Sequence, residues 1–477
     1  MDWLKFVFAL LALVAWASSQ KRGVQLRLTK KGMFYAVDVG IKIMQEDLKK
    51  DVINTRGKSG NLEYNVQNMR ITTAVFQKYE LIPVSGTGMR GQVSGITLEA
   101  NGRLWYKYKK GWFKFSDTIG IDLKAENIRF DMTLNIGSDS NGRPTISIEK
   151  CSAGVSDIDI HFRGGKSWLY NLFRKIVGRK LKKSFGDLLC KMATKEINTK
   201  AKSELATFPV VKKIDKWAEI DYRLTKAPAF TSEYMDAYLK GEFKSVKDPT
   251  ETQSVIPTFS TSSDHNRMIY FWITDYTLNS AGEVYNKTGR LDESFAAWDE
   301  KVPQALKSML NTGKFALLFP KLQSLYPNAP MSLELKSYKP PTFEIAKDQL
   351  KLRIHAYAQF NVKDKSNKII QVFTARFDIT GTGSIGIQGD NISGKISSFD
   401  YAAKVLSSNV GKITIPLDSP LVKIILDSTV IGKANPILKK GFPLPKVNEI
   451  AFTNFDVKLE KNVIRIGTDI KYVKGKK

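Results

Sequence analysis

The chain has 477 residues, with 74 lysines and arginines against 47 aspartates and glutamates, a formal net charge of +27, two cysteines and three histidines. This length predicts two or three domains, and an excess of charge on this scale speaks to partners rather than to fold. After residue 20 no run reaches eighteen consecutive apolar residues, which excludes a membrane-spanning helix from the body of the chain.

Residues 1–19 read as a secretory signal peptide: Lys5, the uncharged run Phe6 to Trp16, then the small-x-small pattern Ala15-Trp16-Ala17. The apolar run is shorter than the twenty or so residues a spanning helix needs; an uncleaved signal anchor is the alternative. Export places Cys151 and Cys190 in an oxidising compartment, where they are expected to pair, two free buried thiols being the alternative. Asn286-Lys287-Thr288 and Asn391-Ile392-Ser393 fit the N-glycosylation sequon.

The segment 30–53 is helical in period, with Met33, Val37, Ile41, Met44, Leu48 and Val52 on one stripe. From 62 to 149 the period shortens. ITLEANGRLWYKY, IGIDLKAEN and PTISIE read as antiparallel strands bounded by Gly, Asn and Asp. A second helical block covers about 166–206, with Leu169, Phe173, Val177, Leu181, Leu188 and Met192 on its apolar face and Lys175, Arg179, Lys182 and Lys183 opposite. It fits a core helix with a solvated basic side, or a basic amphipathic helix lying on a membrane. Pro209, Pro228, Pro249 and Pro257 then punctuate a polar stretch that reads as a linker. The second half repeats the theme: a helix at 279–289, strands over 331–401, a helix at 419–441. Residues 119–128 can be laid on 385–392 with a two-residue gap, which supports two similar domains.

Charge is uneven. Residues 21–225 carry 38 basic against 21 acidic side chains, and residues 226–477 carry 35 against 25. The densest stretch, WYKYKKGWFKF at 105–115, holds six aromatics and four lysines with no acid. Lysines follow phosphates while aromatics favour a membrane interface or stack on bases; a hairpin with core aromatics and solvated lysines is the plain alternative. Export makes nucleic acid a poor first choice of partner, and the excess charge leaves anionic membranes, lipopolysaccharide, heparin-like glycans or released nucleic acid.

Catalytic patterns are missing. His161, His265 and His355 are far apart, without HExxH or paired Cys/His spacing, and Gly-x-Ser-x-Gly does not occur. Gly86 to Gly91 and Gly381 to Gly386 match G-x-G-x-x-G, but each runs into strand-like sequence rather than a helix that could present its dipole to phosphate. The sequence reads as a non-enzyme, with no metal and no cofactor.

Several stretches together resemble one family, that of bactericidal permeability-increasing protein, lipopolysaccharide-binding protein, phospholipid transfer protein and cholesteryl ester transfer protein. They are Gly23-Val24-Gln25-Leu26-Arg27 with Lys31-Gly32-Met33-Phe34-Tyr35-Ala36, Gly142 to Ile146 leading to Cys151, Phe208-Pro209-Val210, Arg267 to Tyr270, Ala281-Gly282-Glu283-Val284-Tyr285, and Lys440-Gly441-Phe442-Pro443-Leu444-Pro445. The resemblance implies an α+β fold, an elongated boomerang of two barrel-like domains. In each, a twisted antiparallel sheet wraps around a long helix, and a central antiparallel sheet joins the two. The expected division is a signal peptide at 1–19, an N-terminal barrel at 20–225, a Pro-containing linker and central-sheet region at 226–262, and a C-terminal barrel at 263–477.

The resemblance also implies a monomer that binds lipopolysaccharide, phospholipid and the Gram-negative outer-membrane surface, not nucleic acid. The basic tip is expected to comprise Lys49, Lys50, Arg56 and Lys58, at the end of the first helix and in the loop beyond, with Arg103, Lys107, Lys109, Lys110 and Lys114. Trp105, Tyr106, Tyr108 and Trp112 are its expected interface aromatics. Met33, Val37, Ile41, Leu188 and Met192 are expected to line an apolar acyl-chain pocket.

Overall fold

The architecture comes from a computed structural model, which describes residues 22–473 apart from Asp51, Thr87, 165–169, 171–181, 183–185, Leu188, Met192, Phe208 and 446–449. The expected signal peptide, much of the second helical block, and Leu188 and Met192 lie outside the described residues.

Strand β1 (Val24–Thr29) leads directly into helix α1 (Lys30–Leu48), whose N-terminus is capped by Thr29 Oγ1 accepting from the Gly32 N–H at 3.4 Å. The helix ends at Leu48, one stripe position short of the expected Val52. The β-branched Val52, Ile53 and Thr55 instead enter β2 (Val52–Ser59), where Val52 is exposed. Then follow β3 (Leu62–Val75), β4 (Lys78–Val84), β5 (Gly88–Lys110), β6 (Phe113–Ser138) and β7 (Pro144–Arg163). They form one curled antiparallel sheet in the order β2-β3-β5-β6-β7, with β4 on the far part of β5.

Strands of 23 and 26 residues are far longer than the usual 3–10. The ladders of this sheet slip near Asn68 of β3 (φ 52°), around Gly95 of β5 (φ 66°) and near Asn127 of β6 (φ 52°), each beside a register shift. Such bulges coil a sheet instead of letting it run flat. The inner face packs Leu62, Tyr64, Val66, Leu104, Tyr106, Ile119, Ile121, Ile160 and Phe162 around Leu48 of α1. The expected disulfide is present: Cys151 of β7 bonds Cys190, with the Cα atoms 5.8 Å apart.

Beyond the second helical block, which is described as far as Ala206, come the short strands β8 (Val211–Lys213), β9 (Ala218–Asp221), β10 (Leu224–Phe230), β11 (Tyr234–Leu239) and β12 (Glu242–Ser245). The polar stretch from 246 to 268 has no regular structure, yet it is tied down. Arg27 donates to the Ser262 carbonyl and the Thr261 hydroxyl, and Phe259 packs with Tyr270 and Trp272.

The second half begins with β13 (Ile269–Thr274) and helix α2 (Asp275–Lys287), then β14 (Glu293–Ala296), β15 (Met331–Ala346), β16 (Gln349–Lys363), β17 (Ile369–Gln388) and β18 (Asn391–Ser408). Helices α3 (Pro420–Leu426) and α4 (Gly432–Lys440) are joined by a π-helical turn, and β19 (Phe442–Pro443), β20 (Ile450–Glu460) and β21 (Val463–Tyr472) close the chain. Strands β14 to β19 make a second curled sheet. Between the two curls lies a central sheet in the order β10-β11-β1-β13-β21-β20, three strands from each half of the chain. Its register runs straight across the join, Leu26 facing Ala237 on one side and Phe271 on the other.

Candidate functional site

The stretch at 105–115 is the hairpin that joins β5 to β6. Gly111 (φ 59°) supplies the left-handed turn, Lys110 pairs with Phe113, and Lys109 pairs with Lys114. The β2–β3 turn lies beside it, because the Lys109 N–H donates to the Asn61 carbonyl at 2.9 Å. Cross-strand register then decides which side chains meet. Lys58, Glu63, Lys107 and Ser116 form one row; Arg56, Asn65, Trp105 and Thr118 the next; and Gln67, Arg103, Gly120 and Arg163 another.

All of these project from the outer face, since Leu104 and Tyr106, their neighbours in sequence, are buried on the inner one. The outer face at this end therefore gathers Arg56, Lys58, Arg103, Lys107, Lys109 and Lys114 around Trp105. Arg163, which the sequence reading did not select, joins them: it ends β7, lies over Gly120 and pairs with Asp122 at 3.2 Å.

Two acids share this face, Glu63, 3.6 Å from Lys58, and Asp122, paired with Arg163. Arg56, Arg103, Lys107, Lys109 and Lys114 have no ion pair among the described residues. Like charges directly opposite each other, as Lys109 and Lys114 are, weaken a ladder. Such an arrangement costs stability in the free chain and is relieved when an anion sits between the two ammonium groups. At the apex Trp112 is 97% exposed and Phe113 45%.

Two expected interface aromatics are elsewhere. Tyr106 is 1% exposed, its ring 5.8 Å from that of Phe115, and burial together with the nearby Asp117 pushes its phenol up to about 12. Tyr108 faces the same inner side and packs against the core. The reason is the two-residue period of a strand, which gives the outer face Trp105 and Lys107 and sends both tyrosines inward. Lys110 shares their parity but stands exposed at the rim.

Arg56 and Lys58 are on strand β2 rather than in a loop. Lys49 and Lys50 belong to a different place. They follow α1, are engaged by Glu46 (3.3 Å) and Asp47 (2.7 Å) of that helix, and are separated from the hairpin turns by the length of β2, roughly 26 Å at ~3.3 Å per residue.

Of the expected pocket residues, Met33 is fully buried in the core that spans both halves, Ile41 is buried and Val37 half-buried. An apolar pocket of ≈ 110 Å³ lies instead in the second half, where Leu278, Ala281 and Tyr285 of α2 face Phe343, Leu350, Ile385 and Ile396 of the curled sheet, Leu438 of α4, and Ile214 and Phe243. Its residues are scattered from Ile214 to Phe442, so no local pattern marks them. Asn286 lies within α2 with its Oδ1 buried, and Asn391 Nδ2 donates to the Lys440 carbonyl at 3.1 Å. The two G-x-G-x-x-G stretches run into or lie within strands β5 and β17.

Two curled sheets on a shared central sheet, with a basic, aromatic-capped end on one and an apolar pocket beside the other, define an α+β protein of two half-barrels. The chain belongs to the LBP / BPI / CETP family: residues 32–200 match its N-terminal domain and residues 212–472 its C-terminal domain. It is 28% identical over 470 residues to bactericidal permeability-increasing protein of Sebastes schlegelii, covering 97% of this chain and 98% of that one. It is 27% identical over 462 residues to lipopolysaccharide-binding protein of Homo sapiens, covering 95% and 94%. The crystal structure of a lipopolysaccharide-binding protein superposes with a TM-score of 0.63 at 24% identity over 95% of this chain and 100% of that one.

Proposed function

We propose that this protein is an exported binder of lipopolysaccharide that engages lipid A phosphates through the outer face of the β2–β3 and β5–β6 hairpins. The observation that carries the reading is the cluster of Arg56, Arg103, Lys107, Lys109 and Lys114 without ion pairs beneath an exposed Trp112. Each cation near an anionic surface contributes roughly 1 kcal/mol, so five acting together decide binding. Arginine adds bidentate contacts to phosphate oxygens. Once the phosphates are held, Trp112 and Phe113 enter the interface. Displacing the divalent cations that bridge lipid A would loosen a Gram-negative outer membrane, which gives the bactericidal reading. The second reading, lipid transfer or presentation without killing, is favoured by the apolar pocket of the second half, whose lining would admit part of an acyl chain.

The test compares the full chain on lipid A vesicles and on neutral phosphatidylcholine vesicles, with Lys107, Lys109, Lys110 and Lys114 changed to serine in a variant. Strong binding to lipid A that falls by more than tenfold in the variant supports the reading. Equal binding to both vesicles, unaltered by the substitutions, overturns it and favours transfer.

A further inference from the structure

Away from the hairpins, Trp217 stands in the tight turn between β8 and β9, and three cations from three separate segments crowd its indole. Lys216 Nζ is 5.0 Å from the ring centroid, Lys247 Nζ 5.6 Å and Arg290 Cζ 5.2 Å. All three thus lie within about a Debye length of one another. Nearby acids are occupied elsewhere: Asp248 is engaged by Lys287, and Asp292 accepts the Ser337 N–H at 3.0 Å. None of the three cations has an ion pair among the described residues. One indole quadrupole attracts each cation weakly and offsets little of their mutual repulsion. An anion placed among them gains from all three.

The cage is fastened to the apolar pocket. Asp215 Oδ1 accepts from the backbone N–H groups of Trp217 (2.7 Å) and Ala218 (2.8 Å), while its Oδ2 accepts the Tyr285 hydroxyl (2.9 Å). Tyr285 lines the pocket, as does Ile214, and the Arg290 N–H donates to the Tyr285 carbonyl at 2.9 Å. One carboxylate therefore joins the turn that carries the cage to the wall of the cavity.

We propose that the cage of Lys216, Lys247 and Arg290 around Trp217 binds the phosphate-ester headgroup of a lipid whose acyl chain enters the apolar pocket tied to it through Asp215 and Tyr285, so that the site prefers anionic over zwitterionic phospholipid. A choline group beside the same phosphate would bring a fourth cation into the cage and cancel the gain. The inference rests on reading that pocket as an acyl-chain site.

The test uses the full chain and neutral phosphatidylcholine vesicles carrying a trace of fluorescent phosphatidic acid or fluorescent phosphatidylcholine; a neutral surface gives the basic hairpins nothing to recruit. Lipid held by the protein is measured after the vesicles are removed. The expected result is about tenfold more phosphatidic acid than phosphatidylcholine, the scale of one charge-assisted hydrogen bond. The triple variant Lys216→Gln, Lys247→Gln, Arg290→Gln should bring that ratio close to one while phosphatidylcholine uptake persists, which also shows that the variant is folded. A ratio unchanged in the variant overturns the cage. Uptake of neither lipid by the parent chain overturns the pocket reading and the headgroup assignment with it. Loss of the preference in saturating inorganic phosphate, with phosphatidylcholine uptake intact and a similar affinity for the free ion, overturns the lipid assignment in favour of a free-phosphate site.

Discussion

Trp112 and Tyr106 are six residues apart on one hairpin and have opposite roles, which makes them the sharpest test at the scale of single residues. Trp112, almost wholly in solvent, contributes nothing to the core. Trp112→Ser is expected to leave the thermal midpoint unchanged, since exposed substitutions move stability by only about 0.5 kcal/mol, and to weaken lipid A vesicle binding several-fold. Tyr106→Ala removes a buried ring and is expected to destabilise the fold by about 3–5 kcal/mol; denaturant unfolding separates the two cases. A third residue carries a pH signature. Asp275, at the start of α2, is raised to about 6, by burial first and by Glu344 second. A carboxyl whose folded value is raised resists ionisation, so the cost is absent below about 4, grows between 4 and 6, and is full above 6. Asp275→Asn should therefore raise the thermal midpoint at pH 7.5 and make no difference at pH 4.

At the scale of elements, one disulfide ties the second helical block to β7, beside packing such as that of Tyr170 on Phe162. Cys151 and Cys190 are 39 residues apart, and closing such a loop stabilises by about 4 kcal/mol on the loop-entropy estimate. Replacing both by serine should lower the denaturation midpoint of the full chain. The effect on lipid A binding should be small at low temperature, because the hairpins of the basic face are held by ladders that do not involve either cysteine. A large loss of binding in a still-folded double variant would show that the helical block itself takes part in recognition.

Over the whole molecule, the central sheet makes the two halves interdependent. Strand β1, from the first residues after the expected signal peptide, is hydrogen-bonded to β11 on one side and to β13 on the other. The core that contains Leu26 and Met33 also includes Ile269, Phe271, Ile464 and Ile466. A fragment ending at residue 225 would cut into β10, omit β11 and β13, and leave β1 with both edges unpaired, a template for aggregation. Such a fragment is expected to be recovered mainly as aggregate, whereas the full chain should show a transition in which the central sheet melts as one unit. A soluble, monomeric 20–225 fragment with native lipid A binding would refute that dependence.

The sequence alone carried the local parts of this protein. The stripe from Met33 to Leu48 is a helix because its period is helical, Gly111 turns because it tolerates positive φ, and WYKYKKGWFKF is a hairpin end because an alternating run flanks a glycine. Those signals depend on neighbours a few residues away, and so they are legible in one dimension. Tertiary structure decided what depends on register and on long-range contact. The pleat set Tyr106 and Tyr108 inward and Trp105 outward. Pairing across β2, β3, β5, β6 and β7 brought Arg56 and Arg163 to one face and left Lys49 and Lys50 at the far end of β2. The pocket draws on segments from Ile214 to Phe442 and the Trp217 cage on segments from Lys216 to Arg290, and only the folding of the chain through its shared central sheet brings those side chains within reach of one ligand.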